Sequence, residues 1–494
     1  MRRWVPAIVL TAIVVGFLAL LVYYGNRLPP PWCDDVFFIQ PAENWARGKG
    51  MGTPVLDDLM PVIATRTYWQ PPVYLLALAA WGKVMGFDLA TMRWFSRLVG
   101  ALGLVLLFLL ARQWGLPATV SLLPVLWVSL DLVYQYRSNI VRMDVLTATL
   151  VMATLLVFGK ALRKGDTKLF ALTGILAALA SLCHFVSLPI LTMLLGTLII
   201  RRDFKALSAF LTPMLLGWSL WLVYAAQDWY AFLTQLRYQF ALRAEISANA
   251  LRDLPSLLEW LMMTHWMDFW GILLSNEPPW ILLMGMVLVG AAVRKGILAG
   301  WQVAVLVAAY LAAVIAPTGG LNYLPLFVPL GYLAVTLIFF TLFQRHGQQI
   351  ILLALAALWT GCQLPRFYET VAFVPQLEAD TYRFFRGLER HLPKGSTVLL
   401  RCFPDPYFHL RRHRPDITIY EMPPHPFEPN RMHRLLHRSD YYVWGGMLEG
   451  LRLPIPEEAD YWQIRSPWLG SYKVWLIPLH SSDRGKVRRR DAAR

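Results

Sequence analysis

Apolar residues run through the chain in blocks long enough to form bilayer-crossing helices, and polar positions gather between the blocks. The runs fall at roughly 5–24, 71–86, 94–112, 117–136, 143–159, 169–183, 185–200, 206–224, 279–293, 298–316, 321–343 and 348–364. About 20 apolar residues cross the ~30 Å hydrocarbon layer as a helix, so the pattern predicts a polytopic α-helical membrane protein. Short loops orient it. Lys160, Arg163, Lys164 and Lys168 fall in one loop, Arg201, Arg202 and Lys205 in a second, Arg294 and Lys295 in a third, and Arg345 and His346 in a fourth. Basic short loops belong in the cytoplasm. If every run crossed from a cytoplasmic N-terminus, all four would lie outside. The run 71–86 removes the conflict, because it is short, opens with Pro71-Pro72 and carries Lys83 near its end. It is read as a juxtamembrane helix in the outer interface. That leaves about eleven crossings, with the N-terminus inside and the segments 25–92, 225–278 and 137–144 facing outward.

The first run follows Arg2 and Arg3 like a secretion signal, but it is about 20 residues long, ends on Tyr23 and Tyr24, and lacks a small-residue cleavage site. It is read as a retained span. From about Pro365 the apolar blocks give way to mixed sequence. Here 377–392 reads as an amphipathic helix, 397–402, 417–420, 441–444 and 472–479 as strands, and 431–438 as a helix. The expected organisation is a membrane domain over 1–364, a small extracytoplasmic α/β domain over 365–483, and a basic tail over 484–494.

Composition agrees with this picture. The chain has 494 residues, 57% of them hydrophobic and 16% charged, with a mean hydropathy of +0.46. The net charge of +15 would suggest nucleic acid in a soluble protein. In a membrane protein the positive-inside bias and anionic headgroups account for it, so no nucleic-acid partner is expected. The four cysteines, Cys33, Cys183, Cys362 and Cys402, have no metal-ligand spacing. Cys33 and Cys402 fall on the same expected side, which leaves a bridge between them open. Gly-rich phosphate loops and HExxH are absent, which argues against a nucleotide-driven pump or a zinc protease.

The candidate chemistry starts from Trp32-Cys33-Asp34-Asp35-Val36-Phe37, an acidic pair placed where the chain has just left the lipid. The same outward face receives Glu43, Arg66, Gln70, Arg93, Arg97, Arg137, Arg142 and Asp144. Arginines at outer span ends run against the positive-inside tendency, and headgroup snorkelling is the plain explanation for any one of them. Arg137 and Arg142 beside Asp144 fit a site better. Carboxylates facing arginines suit group transfer from a phosphate-linked donor to a hydroxyl. The acceptor needs a base, whereas a phosphate leaving group needs positive charge and no proton. One base without an acid partner favours a single in-line displacement with inversion.

At these residues the chain resembles a known family. The order of a span, Asp34-Asp35, a helix-like 40–50, Tyr68-Trp69-Gln70-Pro71-Pro72-Val73-Tyr74, Ser96-Arg97-Leu98, Arg142-Met143-Asp144, and later Asn322-Tyr323-Leu324-Pro325-Leu326 is similar to the GT-C membrane glycosyltransferases. Within them it is most similar to the branch of protein O-mannosyltransferases and lipid A aminoarabinose transferases. The resemblance implies a polyprenyl-phosphate-linked sugar donor, an envelope acceptor, and a site at the outer face of a bacterial cytoplasmic (inner) membrane. It makes Asp34 the general base, with Asp35 standing where Glu is more usual and Asp144 assisting. Gln70 and Asn322 stand where relatives carry basic residues, and Arg97, Arg137 and Arg142, with Gln70, are the candidates for holding the donor phosphate. His184 sits where relatives have Lys or His, and either donor contact or interfacial packing fits it. His265, on the long outward segment, fits either substrate contact or a loop lying on the membrane, and Asn322 and Tyr323 are expected to position substrate. No cofactor is required; a divalent metal is compatible but not implied. The rival readings are a transporter or lipid-linked sugar flippase, which would place charges near mid-span and show related halves, and a non-catalytic scaffold.

Overall fold

The computed structural model describes residues 4–238, 299–315, 328–337, 340, 346–423, 429–445, 459–466 and 470–479. The expected run 279–293 therefore lies outside the described residues, as do His265, Asn322 and Tyr323. Helix α1 (Val5–Tyr24) is closed by Gly25 at φ 55°, and α2 (Cys33–Ala46) begins after a Pro29-Pro30-Pro31 stretch. Then follow α3 (Pro72–Met85), α4 (Leu89–Gln113), α5 (Leu122–Leu130), α6 (Leu132–Ser138), α7 (Asp144–Lys164), α8 (Thr167–Ser181), α9 (Leu188–Ile200) and α10 (Phe204–Ala225). Among the described residues α1, α4, α7 and the extended helical stretch Phe204–Tyr238 are long and apolar enough to cross a membrane, and shorter apolar helices accompany them.

Local chemistry sets these boundaries. The Asp88 carboxylate accepts the Thr91 amide at 3.1 Å and starts α4, several residues ahead of the apolar run. At the other end of its run, α7 stops at Gly165 in the left-handed region with Arg163 and Lys164 in its last turn, where cations meet the negative end of the helix. Packing of α8 on α10 depends on Gly174, where a Cβ would collide with the Phe210 carbonyl. The run 71–86 forms a 14-residue helix, about 21 Å long and too short to cross the hydrocarbon layer. The run 117–136 differs from expectation. Asp131 divides it into α5 and α6, because its carboxylate accepts the Tyr134 amide at 2.7 Å and starts a new helix.

The last apolar run and the amphipathic helix of the following domain are one object, a 46-residue helix His346–His391 that continues through Pro365 and Pro375. The expected break near Pro365 is therefore not a linker. Each proline removes one ladder donor without ending the helix. Beyond it a mixed sheet has the order β2-β1-β3-β5-β4, formed by β1 (Thr397–Cys402), β2 (Thr418–Glu421), β3 (Tyr441–Gly445), β4 (Asp460–Ser466) and β5 (Gly470–Pro478). β1 pairs in parallel with β2 and β3, and β5 pairs antiparallel with β3 and β4. β1 is buried almost throughout, which suits a central strand reading Thr-Val-Leu-Leu-Arg-Cys. β4 and the short helix Tyr407–His413 went unread in the sequence.

This domain is built directly onto the segment that follows α1. The Asp405 amide donates to Pro31 O at 2.8 Å, Gln40 Nε2 to the Tyr407 hydroxyl at 2.7 Å, and Arg431 Nη1 to Leu59 O at 2.8 Å. Arg411 grips Glu43 through both terminal nitrogens at 2.9 and 3.0 Å, and Arg438 pairs with Asp58.

Candidate active site

The first turn of α2 carries both acidic residues, which the positive end of the helix favours. The two side chains have opposite fates. Asp35 points inward and is fully enclosed, as is its partner Arg93 from α4. Its Oδ2 takes Arg93 Nη2 at 2.8 Å and the Trp32 amide at 3.1 Å, and its Oδ1 takes the Val141 amide at 2.8 Å. Arg93 also donates to Pro29 O at 2.7 Å and Pro30 O at 3.3 Å. Asp35 thus ties α2, α4 and the α6–α7 connection at one point, with both oxygens occupied.

Asp34 points the other way and keeps 20% of its side chain exposed. It pairs with Arg142 Nη1, and Arg142 Nε reaches Asp144 Oδ2 at 2.5 Å. One guanidinium therefore bridges two carboxylates contributed by distant parts of the chain. Asp144 is the first residue of α7, and its Oδ1 is buried with no hydrogen-bond partner. A buried acceptor left open in this way is uncommon and marks a place where a bound group would complete the hydrogen bonding. Arg137 lies within electrostatic reach of Asp34, Asp144 and Arg142, with its guanidinium over the Tyr136 ring.

The remaining expected site residues divide between the centre and its frame. Arg97 donates from Nε to Asn139 Oδ1 at 2.6 Å and from Nη2 to Gly25 O at 2.9 Å. Asn139 in turn donates to Gly25 O at 2.9 Å and Leu28 O at 2.6 Å, so these two residues pin the turn after α1. Gln70 is buried, and its Oε1 has no partner. His184 accepts the Val186 amide on Nδ1 at 3.0 Å and so caps the turn into α9. Cys33, Cys183 and Cys402 are buried free thiols, so Cys33 and Cys402 do not pair.

Two features escaped the sequence. Gln235, fully buried beyond α10, accepts the Tyr68 and Trp69 amides at 2.7 and 3.2 Å and donates to Pro61 O and Arg66 O. It fixes the irregular Tyr68-Trp69 segment ahead of Gln70. The only sequence signal was a lone amide within Ala-Phe-Leu-Thr-Gln-Leu. The second is a carboxyl pair, Asp405 and Glu421, buried together at the seam beside Cys33. Burial pushes the Asp405 carboxyl up to about 7 and Glu421 well above the usual range, each facing the other. Burial likewise raises the Cys33 thiol, with the Asp34 charge adding to it. Among the described residues no three His, Cys, Asp or Glu side chains converge as metal ligands.

The model of a family described as dolichyl-phosphate-mannose-protein mannosyltransferase matches residues 69–223. That segment holds α3 to α9 and nearly all of α10, with Arg97, Arg142 and Asp144, and excludes Asp34. No curated protein matches the chain in sequence. Among solved structures it is similar to the apo oligosaccharyltransferase of Archaeoglobus fulgidus, with TM-score 0.52 and 12% identity over 87% of this chain and 69% of that one. The same protein tethered through a disulfide to an acceptor peptide with the NVT sequon gives TM-score 0.50 and 10% identity over the same shares. ArnT from Cupriavidus metallidurans bound to undecaprenyl phosphate gives 0.49 and 12% over 96% of this chain and 99% of that one. The GT-C resemblance drawn from ordered motifs is borne out by the family model and the fold.

Proposed function

We propose that this GT-C membrane glycosyltransferase moves one sugar from a polyprenyl-phosphate carrier to a hydroxyl of an envelope acceptor at the outer face of a bacterial cytoplasmic membrane. The observation that carries the reading is the Asp34–Arg142–Asp144 bridge. It is a partly open carboxylate held by an arginine, beside a buried carboxylate oxygen with no partner.

In this scheme Asp34 takes the proton from the acceptor hydroxyl. The freed oxygen attacks the anomeric carbon as the carbon–oxygen bond to phosphate breaks, and the bonding pair leaves on the phosphate. Arg142 and Arg137 stabilise the charge that builds on that oxygen. Attack opposite to the leaving phosphate inverts the sugar carbon. Asp144 holds Arg142 in place and offers Oδ1 to a sugar hydroxyl, which completes its hydrogen bonding. Asp35 and Arg97 act differently from the roles the motifs suggested: they position α2 and the turn after α1 without touching substrate. The arginines supply the positive charge, so the scheme calls for no metal, and transfer is expected to survive chelation.

The test is sugar transfer by the purified protein in lipid with a panel of polyprenyl-phosphate sugars. Asp34→Asn is expected to lower turnover by about 10²–10⁴-fold, the usual contribution of a general base, with donor affinity retained. Turnover equal to the native chain would remove Asp34 as the base. If no donor turns over with the native protein, the transferase reading itself fails.

A further inference from the structure

Behind α2, on the face turned away from Asp34, lies a cavity of about 1030 Å³ between the membrane helices and the sheet domain. Its lining includes Glu43 from the far side of α2 and Arg47 just past its end, the stretch from Gly86 to Ala90 that leads into α4, and Arg411, Arg412 and His413 from the short helix Tyr407–His413. Asp34, Arg142 and Asp144 do not line it. The cavity is therefore separate from the carboxylate–arginine centre.

Its chemistry is divided. Phe87, Leu89, Phe385 and Phe408 make apolar walls, and cations stand around them. Glu43 is neutralised by Arg47 at 2.6 Å and by Arg411, and Glu378 faces Arg27 at 3.3 Å. Arg412 is exposed and forms no ion pair among the described residues. His413 lies against His409 with ring centroids 4.5 Å apart and the rings tilted by 37°. Two lining residues carry buried polar atoms without partners, Asn26 Oδ1 and Thr381 Oγ1. The lining sets Arg27, Arg47, Arg411 and Arg412 against Glu43, Glu378 and Asp88, so one positive charge is in excess, and a hydroxyl donor left open in the same lining fits a singly charged anion. The position adds the rest. The lining begins at Gly86, directly after α3, whose last residues, Val84 and Met85, are 82% and 54% exposed. Large exposed apolar side chains on a juxtamembrane helix lie against lipid, so the cavity sits where headgroups end and acyl chains begin.

We infer that this cavity is a binding site for an anionic phospholipid, with the phosphate among Arg412, His413 and Thr381 and the acyl chains passing over the aromatic walls toward Val84 and Met85. A soluble phosphate compound would use the cations and leave the apolar walls bare. A zwitterionic lipid would bring a cation with its phosphate and leave the excess positive charge of the cavity uncompensated. The sheet domain would then be seated partly on a lipid held between it and the bundle.

Native mass spectrometry of the full chain in neutral detergent tests this, with phosphatidylglycerol, phosphatidylcholine and glycerol 3-phosphate as probes. Phosphatidylglycerol is expected to be retained in preference to phosphatidylcholine. Arg412→Glu is expected to cut that retention at least fivefold, about the effect of one arginine near a lipid phosphate. Ala90→Trp fills the cavity at an exposed position without removing a structural side chain, and is expected to do the same. Asp34→Asn is expected to leave lipid binding unchanged whether or not the protein transfers sugar. Equal retention of the two lipids, native retention in both Arg412→Glu and Ala90→Trp, displacement by equimolar glycerol 3-phosphate, or loss of binding in Asp34→Asn would each overturn the assignment.

Discussion

Asp35→Asn separates a structural acid from a chemical one. The native carboxylate accepts three hydrogen bonds and is fully enclosed with Arg93. An asparagine there retains one acceptor oxygen, which can still take the Val141 amide, but turns an NH₂ group toward Arg93 Nη2 and the Trp32 amide. Donor then meets donor, and a buried guanidinium is left without its counter-charge. Breaking a buried pair from one side costs about 3–5 kcal/mol, because the remaining charge stays buried. A chain of 494 residues melting as one unit carries about 1 kcal/mol/K of unfolding entropy, so Tm in detergent is expected to fall by roughly 3–5 °C. Melting of a smaller unit would enlarge the shift. The double variant Asp35→Asn with Arg93→Met should be less destabilised than the sum of the single changes, since it removes both charges. Asp34→Asn, by contrast, should hold Tm within about 1 °C, because its site is partly solvated and Arg142 keeps Asp144. An Asp35→Asn protein with native Tm and transfer reduced as far as in Asp34→Asn would refute this division of labour and make Asp35 a group in the chemistry.

Gln235→Ala should cost about 1–3 kcal/mol for each of the Tyr68 and Trp69 amides it leaves unpaired, read as faster proteolysis of the 60–70 segment with α-helix content retained. Arg411→Ala should lower stability by only about 1 kcal/mol in the same melts, since its guanidinium is partly exposed and Arg47 still neutralises Glu43. The Asp405 carboxyl, raised to about 7 in the folded protein against about 4 when unfolded, binds its proton more tightly in the native state. Its contribution is therefore full below about pH 4 and lost by about pH 7, and Asp405→Asn should flatten the fall in Tm between those values.

The apolar blocks carried most of the membrane helices because burial in lipid imposes a coarse rule, and the order of outward motifs brought Asp34, Arg142 and Asp144 into one list before any geometry was known. The sequence could not say which way each side chain points. Asp34 and Asp35 are adjacent and chemically alike, yet one α-helical step of about 100° leaves one partly exposed beside Arg142 and turns the other into a sealed contact with Arg93. Arg97 reads as a candidate phosphate ligand, and nothing in the sequence announces that its Nε and Nη2 donate to Asn139 and Gly25. The break at Asp131 was hidden because its apolar neighbours continue without pause, and only the cap to Tyr134 reveals it. β4 went unread because Asp460–Ser466 is strand by virtue of pairing with β5, with little alternation of its own.

The grip of Arg411 on Glu43 joins residues 368 positions apart, and the Asp405 amide reaches back to Pro31 over a similar span. On a ribosome adding about 5–20 residues per second, roughly 20–70 s pass between the emergence of α2 and that of its far partners. For all that interval the helix bearing both acids has its back face bare, in a chain already threading into lipid. The helix bearing the acids is thus backed by a part of the chain made long after it, and a nascent chain stopped before the sheet domain would hold the carboxylates and the arginines without that backing.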